Sequence, residues 1–132
     1  MAHTIGPRDL VTADALGSRL MMCFAHFKGC LFVAENPYDG AFAMRRRPYM
    51  QNLSGGVVYY KCSYCEYNRE YRKNTMLFSN IALVLRVCTH TSHSKVAQGG
   101  PSNGIPGVGD TVNLYAIPDE LIDDVLRQGD LV

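Results

Sequence analysis

The sequence lacks the long apolar run of a membrane helix, which needs about 20 consecutive apolar residues. Its first residues, MAHTIGPRDLVTAD, also lack the basic start and apolar stretch of a secretory signal peptide. These absences predict an intracellular protein in a reducing compartment, where cysteine is more often free or metal-bound than disulfide-bonded. The five cysteines are an odd number, so they cannot all pair within one chain.

Signatures of common enzyme classes are missing as well. The chain has no GxSxG motif, no P-loop and no dinucleotide-binding fingerprint. A Cys–His dyad can be drawn from Cys62 or Cys88 with His90, but the sequence shows no third group that would orient it. We therefore expect a protein that is not an enzyme.

The composition is that of one folded domain. The chain has 132 residues, of which 47% are hydrophobic and 19% are charged, and this suits a modest core. The net charge of +1 conceals a segregation, because residues 40–95 carry nine bases and two acids, whereas residues 96–132 carry one base and six acids. A basic middle favours an anionic ligand. Folding of the acidic tail onto the middle explains the asymmetry equally well.

Periodicity and turn chemistry predict helices near both ends and strands between them. Apolar residues at intervals of three and four predict a helix over residues 9–28. Pro118, the acids that follow it and Gly129 predict a second helix over residues 118–129. Short strands are predicted at 30–34, 41–47, 57–65, 83–87 and 111–117. The longer run MLFSNIALVLRVC also fits a helix, and we favour a strand for its LVLRV part.

Two short motifs contain the residue types that bind zinc. KCSYC presents Cys62 and Cys65, and HTSH presents His90 and His93. Structural zinc takes four such ligands in a tetrahedron, and a two-residue gap lets a tight turn present two of them to one ion. The 24 residues between the pairs exceed the roughly 12 of a ββα finger, and the surroundings are β-like. We therefore predict a structural Zn²⁺ that pins the ends of strands.

Other interpretations of these residues stay open. The cysteines fit a redox pair or buried thiols, and the histidines fit ordinary surface residues. A further cluster, CFAHFKGC, contains Cys23, His26 and Cys30, and Cys88 lies close to His90. These residues could contribute to a second metal site, although core positions and a helix end are more typical of them.

From about Leu31 to His93 the chain resembles a FLYWCH-type zinc finger, part of the group that includes the WRKY and GCM DNA-binding domains. The resemblance rests on Gly40, Phe42, the arginines 45–47, the stretch YYKC at 59–62, Cys65 and the closing histidines. The family has Trp where Tyr60 stands, a longer gap between its cysteines and one residue between its histidines. The resemblance implies a small antiparallel sheet with zinc at one end, which binds DNA through the sheet and its basic residues.

These predictions define an α+β fold: a small antiparallel β-sheet pinned by a structural zinc, with flanking N- and C-terminal helices. Residues 1–30 form an N-terminal helix packed on the domain, and residues 31–95 form the zinc-binding β domain. Residues 96–113 are a Gly/Pro/Ser-rich loop or linker. Residues 114–132 supply a short strand and the acidic C-terminal helix.

The basic residues and tyrosines of the middle segment favour a nucleic-acid ligand, DNA above all. Guanidinium groups bind phosphates, and tyrosines stack on bases. The predicted contacts are Arg45, Arg46, Arg47, Lys61, Arg69, Arg72 and Lys73. A solvated loop or a nuclear-import signal also explains the arginines. The expected protein is a nuclear regulatory or chromatin-associated factor.

The alternative is a zinc-scaffolded interaction module without a nucleic-acid ligand. In it, a protein partner docks on the sheet surface and on the apolar residues of the C-terminal helix, namely Leu121, Ile122, Val125 and Leu126. Packing of that helix on its own sheet is the competing and more typical use of these residues. A homo-oligomer is compatible with both functions.

Overall fold

A three-stranded antiparallel sheet lies between two helices in the structure, which is a computed structural model. It describes residues 7–27, 29–38, 43–51, 57–93 and 116–132. The helices are α1 (Pro7–His26) and α2 (Asp119–Gln128). The strands are β1 (Val33–Pro37), β2 (Val58–Ser63) and β3 (Asn74–Ser79). The predicted α+β class with flanking helices is confirmed, whereas its pinning by zinc stays a prediction.

β3 is the central strand, because the sheet has the order β1-β3-β2. In its register, Leu77 lies opposite Glu35 of β1 and Tyr60 of β2. Side chains alternate between the two faces along a strand, so Met76 and Phe78 point toward one helix and Leu77 toward the other. All three are buried, which is why the MLF run of the sequence is continuously apolar.

One face of the sheet packs against α1. Met21 of this helix is buried together with Met50, Met76 and Phe78. The helix predicted over residues 9–28 is confirmed, with both ends lying closer to the N-terminus than expected. No helix in the described part of the chain is long and apolar enough to cross a bilayer.

The other face packs against α2, which buries Leu121 and Val125 at a four-residue spacing. This confirms both the predicted helix and the expectation that it packs on its own sheet. One acid of α2 pairs with the basic middle of the chain: a Glu120 carboxylate oxygen lies 2.9 Å from a guanidinium nitrogen of Arg86. Folding of the acidic tail onto the middle therefore accounts for part of the charge segregation.

The strand predicted at 41–47 is wrong for its described part, residues 43–47. Met44–Arg46 form a 3₁₀ turn, because Asn36 draws this segment back toward β1. The Met44 N–H donates to Asn36 Oδ1 at 2.8 Å, and Arg45 Nε donates to the Tyr38 carbonyl at 2.9 Å. The strand predicted at 30–34 is shifted, since β1 begins at Val33.

The strand predicted at 83–87 is also wrong, because this segment joins none of the three strands in a ladder. Leu83 is buried and Val84 is exposed, so the side chains alternate as in a strand. The backbone instead bonds to a side chain of α2: the Val84 N–H donates to Gln128 Oε1 at 2.7 Å, and Gln128 Nε2 donates to the Val84 carbonyl at 3.0 Å. The predicted linker at 96–113, and the predicted strand at 111–117 except its last two residues, lie outside the described residues.

Candidate metal centre

A buried serine brings the two candidate ligand segments together. Ser63 ends β2, and its N–H donates to the Arg86 carbonyl at 3.1 Å. Its hydroxyl donates to Asn74 Oδ1 at 2.8 Å and accepts the N–H of Cys88 at 3.1 Å. These bonds hold the segment after β3 against the end of β2. Cys88 consequently lies beside Cys65, which belongs to the turn that follows β2.

That turn is a 3₁₀ helix over Tyr64–Tyr67, closed by Asn68 in the left-handed region with φ 62°. Asparagine tolerates this conformation better than most residues. The Arg69 N–H donates to the Tyr64 carbonyl at 3.2 Å and completes the turn. The turn presents the half-buried side chains of Cys65 and Glu66 toward the histidine segment.

Four side chains of the types that ligate metals lie at this position: Cys65, Cys88, His90 and His93, of which His90 approaches Cys88 but is not part of the group that Cys65, Cys88 and His93 form. Cys88 Sγ lies 2.8 Å from His93 Nε2 and 3.4 Å from His90 Nδ1. Cys65 Sγ lies 3.9 Å from the same His93 nitrogen. The ligand atoms of Cys65, Cys88 and His93 all lie within 4.8 Å of one another.

These separations can be compared with those around a bound ion. A tetrahedral Zn²⁺ with bonds of about 2.0–2.3 Å holds its ligand atoms about 3.3–3.8 Å apart. The 3.4 Å distance lies within this range and the 3.9 Å distance lies just above it, whereas the 2.8 Å distance between Cys88 and His93 needs an outward shift. Two sulfurs and two imidazole nitrogens are also the donor set that favours zinc.

Glu66 is a neighbour of the cluster that the sequence did not suggest. Its carboxylate oxygen lies 3.7 Å from His90 Nδ1, and together with Cys88 and His90 it forms a second group of potential ligand atoms within 4.8 Å. A carboxylate near an imidazole commonly orients that ring. Glu66 therefore either orients His90 or competes with it for the fourth position.

Cys62, the remaining predicted ligand, lies in the hydrophobic core. Its side chain is fully buried and packs with Tyr64, Tyr67 and Leu77 on the α2 side of the sheet. Burial raises the pKa of its thiol to about 12, and Cys62 belongs to neither group of potential ligand atoms in the described residues. Of the other three predicted ligands, Cys65 and His93 share one group of ligand atoms with Cys88, and His90 shares the second group with Cys88.

Cys65 is less buried than Cys62. Burial, with a further contribution from the adjacent Cys88, raises the pKa of its thiol to about 11. Zinc binds cysteine as the thiolate and so displaces this proton. The sequence signal for Cys88 is the close spacing Cys88-x-His90-x2-His93 in CTHTSH, although the sequence prediction places Cys88 only in a possible second metal site.

A second metal site does not form from the other cysteines in the described residues. Cys23, His26 and Cys30 belong to neither group of potential ligands there, and all three side chains are exposed. The expectation of core positions for Cys23 and Cys30 is therefore wrong. Both lie near the end of α1, where the chain turns toward β1.

Five of the seven predicted nucleic-acid contacts fall into two groups. In the first, cations pair with acids of the same chain: Arg47 forms two hydrogen bonds to Asp14, and Lys73 lies 3.9 Å from a Glu35 oxygen. The bond from Arg47 lowers the pKa of Asp14. Burial lowers the pKa of Lys73. Arg47 and Lys73 therefore already interact with acids of the folded chain.

The second group surrounds one tyrosine. The Arg45 guanidinium carbon and the Lys61 ammonium nitrogen each lie 4.4 Å from the centre of the Tyr38 ring, and Arg46 is exposed beside them. Within the described residues, none of these three cations has an ion pair. Arg69 and Arg72 are half-buried, and their Nε atoms have no hydrogen-bond partner in the described part of the chain.

No family model, no curated protein and no solved structure matches this chain. The resemblance to FLYWCH-type zinc fingers therefore stays a prediction. The chemistry of the cluster rests on the geometry of its own side chains.

Proposed function

We propose that this chain is a zinc-stabilised nucleic-acid-binding module in which Cys65, Cys88, His90 and His93 hold one Zn²⁺. The observation that carries the metal site is the approach of these four donor groups from two segments that are distant in sequence. Four protein ligands leave no open position for a substrate, so the role of the ion is structural rather than catalytic.

The ion would join the turn after β2 to the irregular segment after β3. That segment has few backbone bonds of its own, because it is held by Ser63 and by the side chain of Gln128. A metal ion that bonds to both sides of this junction adds its binding free energy to folding. Zinc therefore fixes the end of the sheet on which the rest of the domain is built.

The nucleic-acid surface is centred on Tyr38, with Arg45, Arg46 and Lys61 around it. Each cation–π contact contributes only about 0.5–1 kcal/mol at an exposed site, so these cations can turn to phosphate oxygens without a large loss. The tyrosine ring that they flank offers a stacking surface for a base. This surface lies on the α1 side of the sheet, since Tyr38 packs with the α1 cluster.

A salt titration of DNA binding tests this surface. The full chain is titrated against a short fluorescein-labelled duplex and the matching single strand, and anisotropy is followed at several salt concentrations. We expect Arg45→Gln with Lys61→Gln to weaken binding to both probes. The slope of log affinity against log salt should fall by about one unit for each cation lost.

Arg127→Gln is the matched control, because it removes one exposed cation from α2, on the other side of the sheet. It should leave affinity and salt slope close to those of the unmodified chain. Equal affinity of the double variant and the unmodified chain would reject Tyr38 and its cations as the nucleic-acid surface.

A further inference from the structure

An apolar groove runs between β1 and α2, on the face of the sheet opposite Tyr38. Its walls are apolar except for Glu35, and they include Val33, Ile117, Ile122 and Leu126. Its volume is about 240 Å³, below the roughly 300–1,000 Å³ of small-molecule pockets. The groove therefore suits one or two aliphatic side chains of a larger molecule better than a whole metabolite.

The strand that forms one wall has an unpaired edge in the described part of the chain. β1 pairs only with β3, and the Tyr38 N–H donates to the Asn74 carbonyl at 3.1 Å. Hydrogen-bonded and non-hydrogen-bonded positions alternate in an antiparallel pair. The N–H and C=O groups of Val33 and Glu35 therefore point away from β3, and no described residue bonds to them.

The same two residues direct their side chains into the groove. Val33 and Glu35 line it together with Leu77, the β3 residue opposite Glu35. An extended segment that paired with β1 would place every second side chain on this same face. One extended ligand can therefore pair with the backbone of β1 and insert apolar side chains into the groove, as in β-strand addition.

The charges around the groove indicate the chemistry of that ligand. Asp119 and Asp123 are exposed on α2 and precede Ile122 and Leu126 by three residues, a spacing that places each acid beside one groove residue. Glu35 also lies within the groove but already pairs with Lys73. In the described residues, neither Asp119 nor Asp123 has an ion pair, so cations of a ligand would find carboxylates here.

We propose that this groove binds an extended peptide segment of a partner protein, which pairs with β1, inserts alternate aliphatic side chains and carries flanking lysine or arginine. The surface lies on the α2 side of the sheet, whereas the cations at Tyr38 lie on the α1 side. A peptide and a nucleic acid can therefore bind together, and this interaction does not depend on the proposed nucleic-acid ligand.

Selection from a phage-displayed library of random dodecapeptides on the immobilised full chain tests the specificity. We expect enrichment of alternating aliphatic residues with lysine or arginine. The selected peptides, made synthetically, should bind an Ile122→Gln, Leu126→Gln variant at least tenfold more weakly, because both groove side chains become polar. Val84→Gln is the matched control, since this exposed valine lies outside the groove and its replacement should leave affinity unchanged.

Amide exchange followed by NMR tests the edge of β1. In the free chain, the amides of Val33 and Glu35 should exchange quickly, and the selected peptide should protect them. Protection already present in the free monomer would overturn the proposal, because the edge of β1 would then be covered within the chain itself. Protection that rises with protein concentration would also overturn it, in favour of a second copy of the chain. Enrichment of acidic or non-alternating peptides, or none, would overturn it as well.

Discussion

Burial decides what each cysteine at the end of the sheet can do. Cys62 is enclosed by the aromatic core and stays a thiol, whereas Cys65 and Cys88 are only half-buried and face histidines. The CxxC motif predicted metal ligands here, and Cys65 is the one of its two cysteines that the structure places near a histidine. It could not show that strand alternation directs Cys62 into the core, because that depends on which face α2 covers.

The Cys62 thiol makes the stability of the domain sensitive to alkaline pH. Burial raises its pKa from 9.0 to about 12, so the folded state retains a proton that the unfolded state loses. The contribution of this thiol to the unfolding free energy is therefore fully present below about pH 9. It is lost as the pH rises toward 12, by up to about 1.4 kcal/mol per pH unit. Urea unfolding across this window measures the slope.

Cys62→Ala is the variant that isolates this effect. This substitution removes the titrating thiol, so the unfolding free energy of the variant should fall less steeply with pH than that of the unmodified chain. Cys23→Ala removes an exposed thiol instead and serves as the control. Identical slopes for Cys62→Ala and the unmodified chain would show that another group governs the alkaline loss.

Secondary-structure elements with strong periodic signals were predictable from the sequence. Both helices and β2 lie close to their expected positions, because amphipathic spacing and β-branched or aromatic runs report local preferences. The conformation of the segment at 83–87 was not predictable, because the groups that bond its backbone come from Ser63, Tyr67 and Gln128. Contacts between residues so far apart along the chain leave no local trace in the sequence.

The helix α2 allows a direct comparison of buried and exposed apolar residues on one element. Leu121 is 1% exposed and Ile122 is 42% exposed. Leu121→Ala should lower the unfolding free energy by about 2–5 kcal/mol, as in other buried positions. Ile122→Ala should cost much less, because its side chain gains little from folding.

Chemical unfolding of the two variants measures this difference. If both substitutions cost the same, α2 is not packed on the sheet through Leu121. The comparison bears on the groove too, since a small cost at Ile122 means that this residue is available to a ligand without being needed for the fold.

The sheet divides the whole molecule into two surfaces of different chemistry. Arg45 and Lys61 flank Tyr38 on the α1 side, and Asp119 and Asp123 border the groove on the α2 side. The charge segregation of the sequence is consistent with this division. The sequence did not predict that Arg47 bonds to Asp14 of α1, because the two residues are far apart along the chain.

The cluster of Cys65, Cys88, His90 and His93 lies between the turn after β2 and the segment after β3. A bound ion would fix the segment that follows β3, against which both β2 and α2 pack. Loss of the ion should therefore loosen the whole domain rather than one loop. The identity of the ligands is the central claim on which this depends.

Metal content tests that claim most directly. The full chain is purified without added metal and compared with Cys88→Ala and Cys62→Ala by elemental mass spectrometry, with circular dichroism to confirm folding. The proposed ligand set predicts one zinc per chain in the unmodified protein and in Cys62→Ala, and a loss of zinc in Cys88→Ala. Zinc retained by Cys88→Ala, or lost from a folded Cys62→Ala, would contradict it.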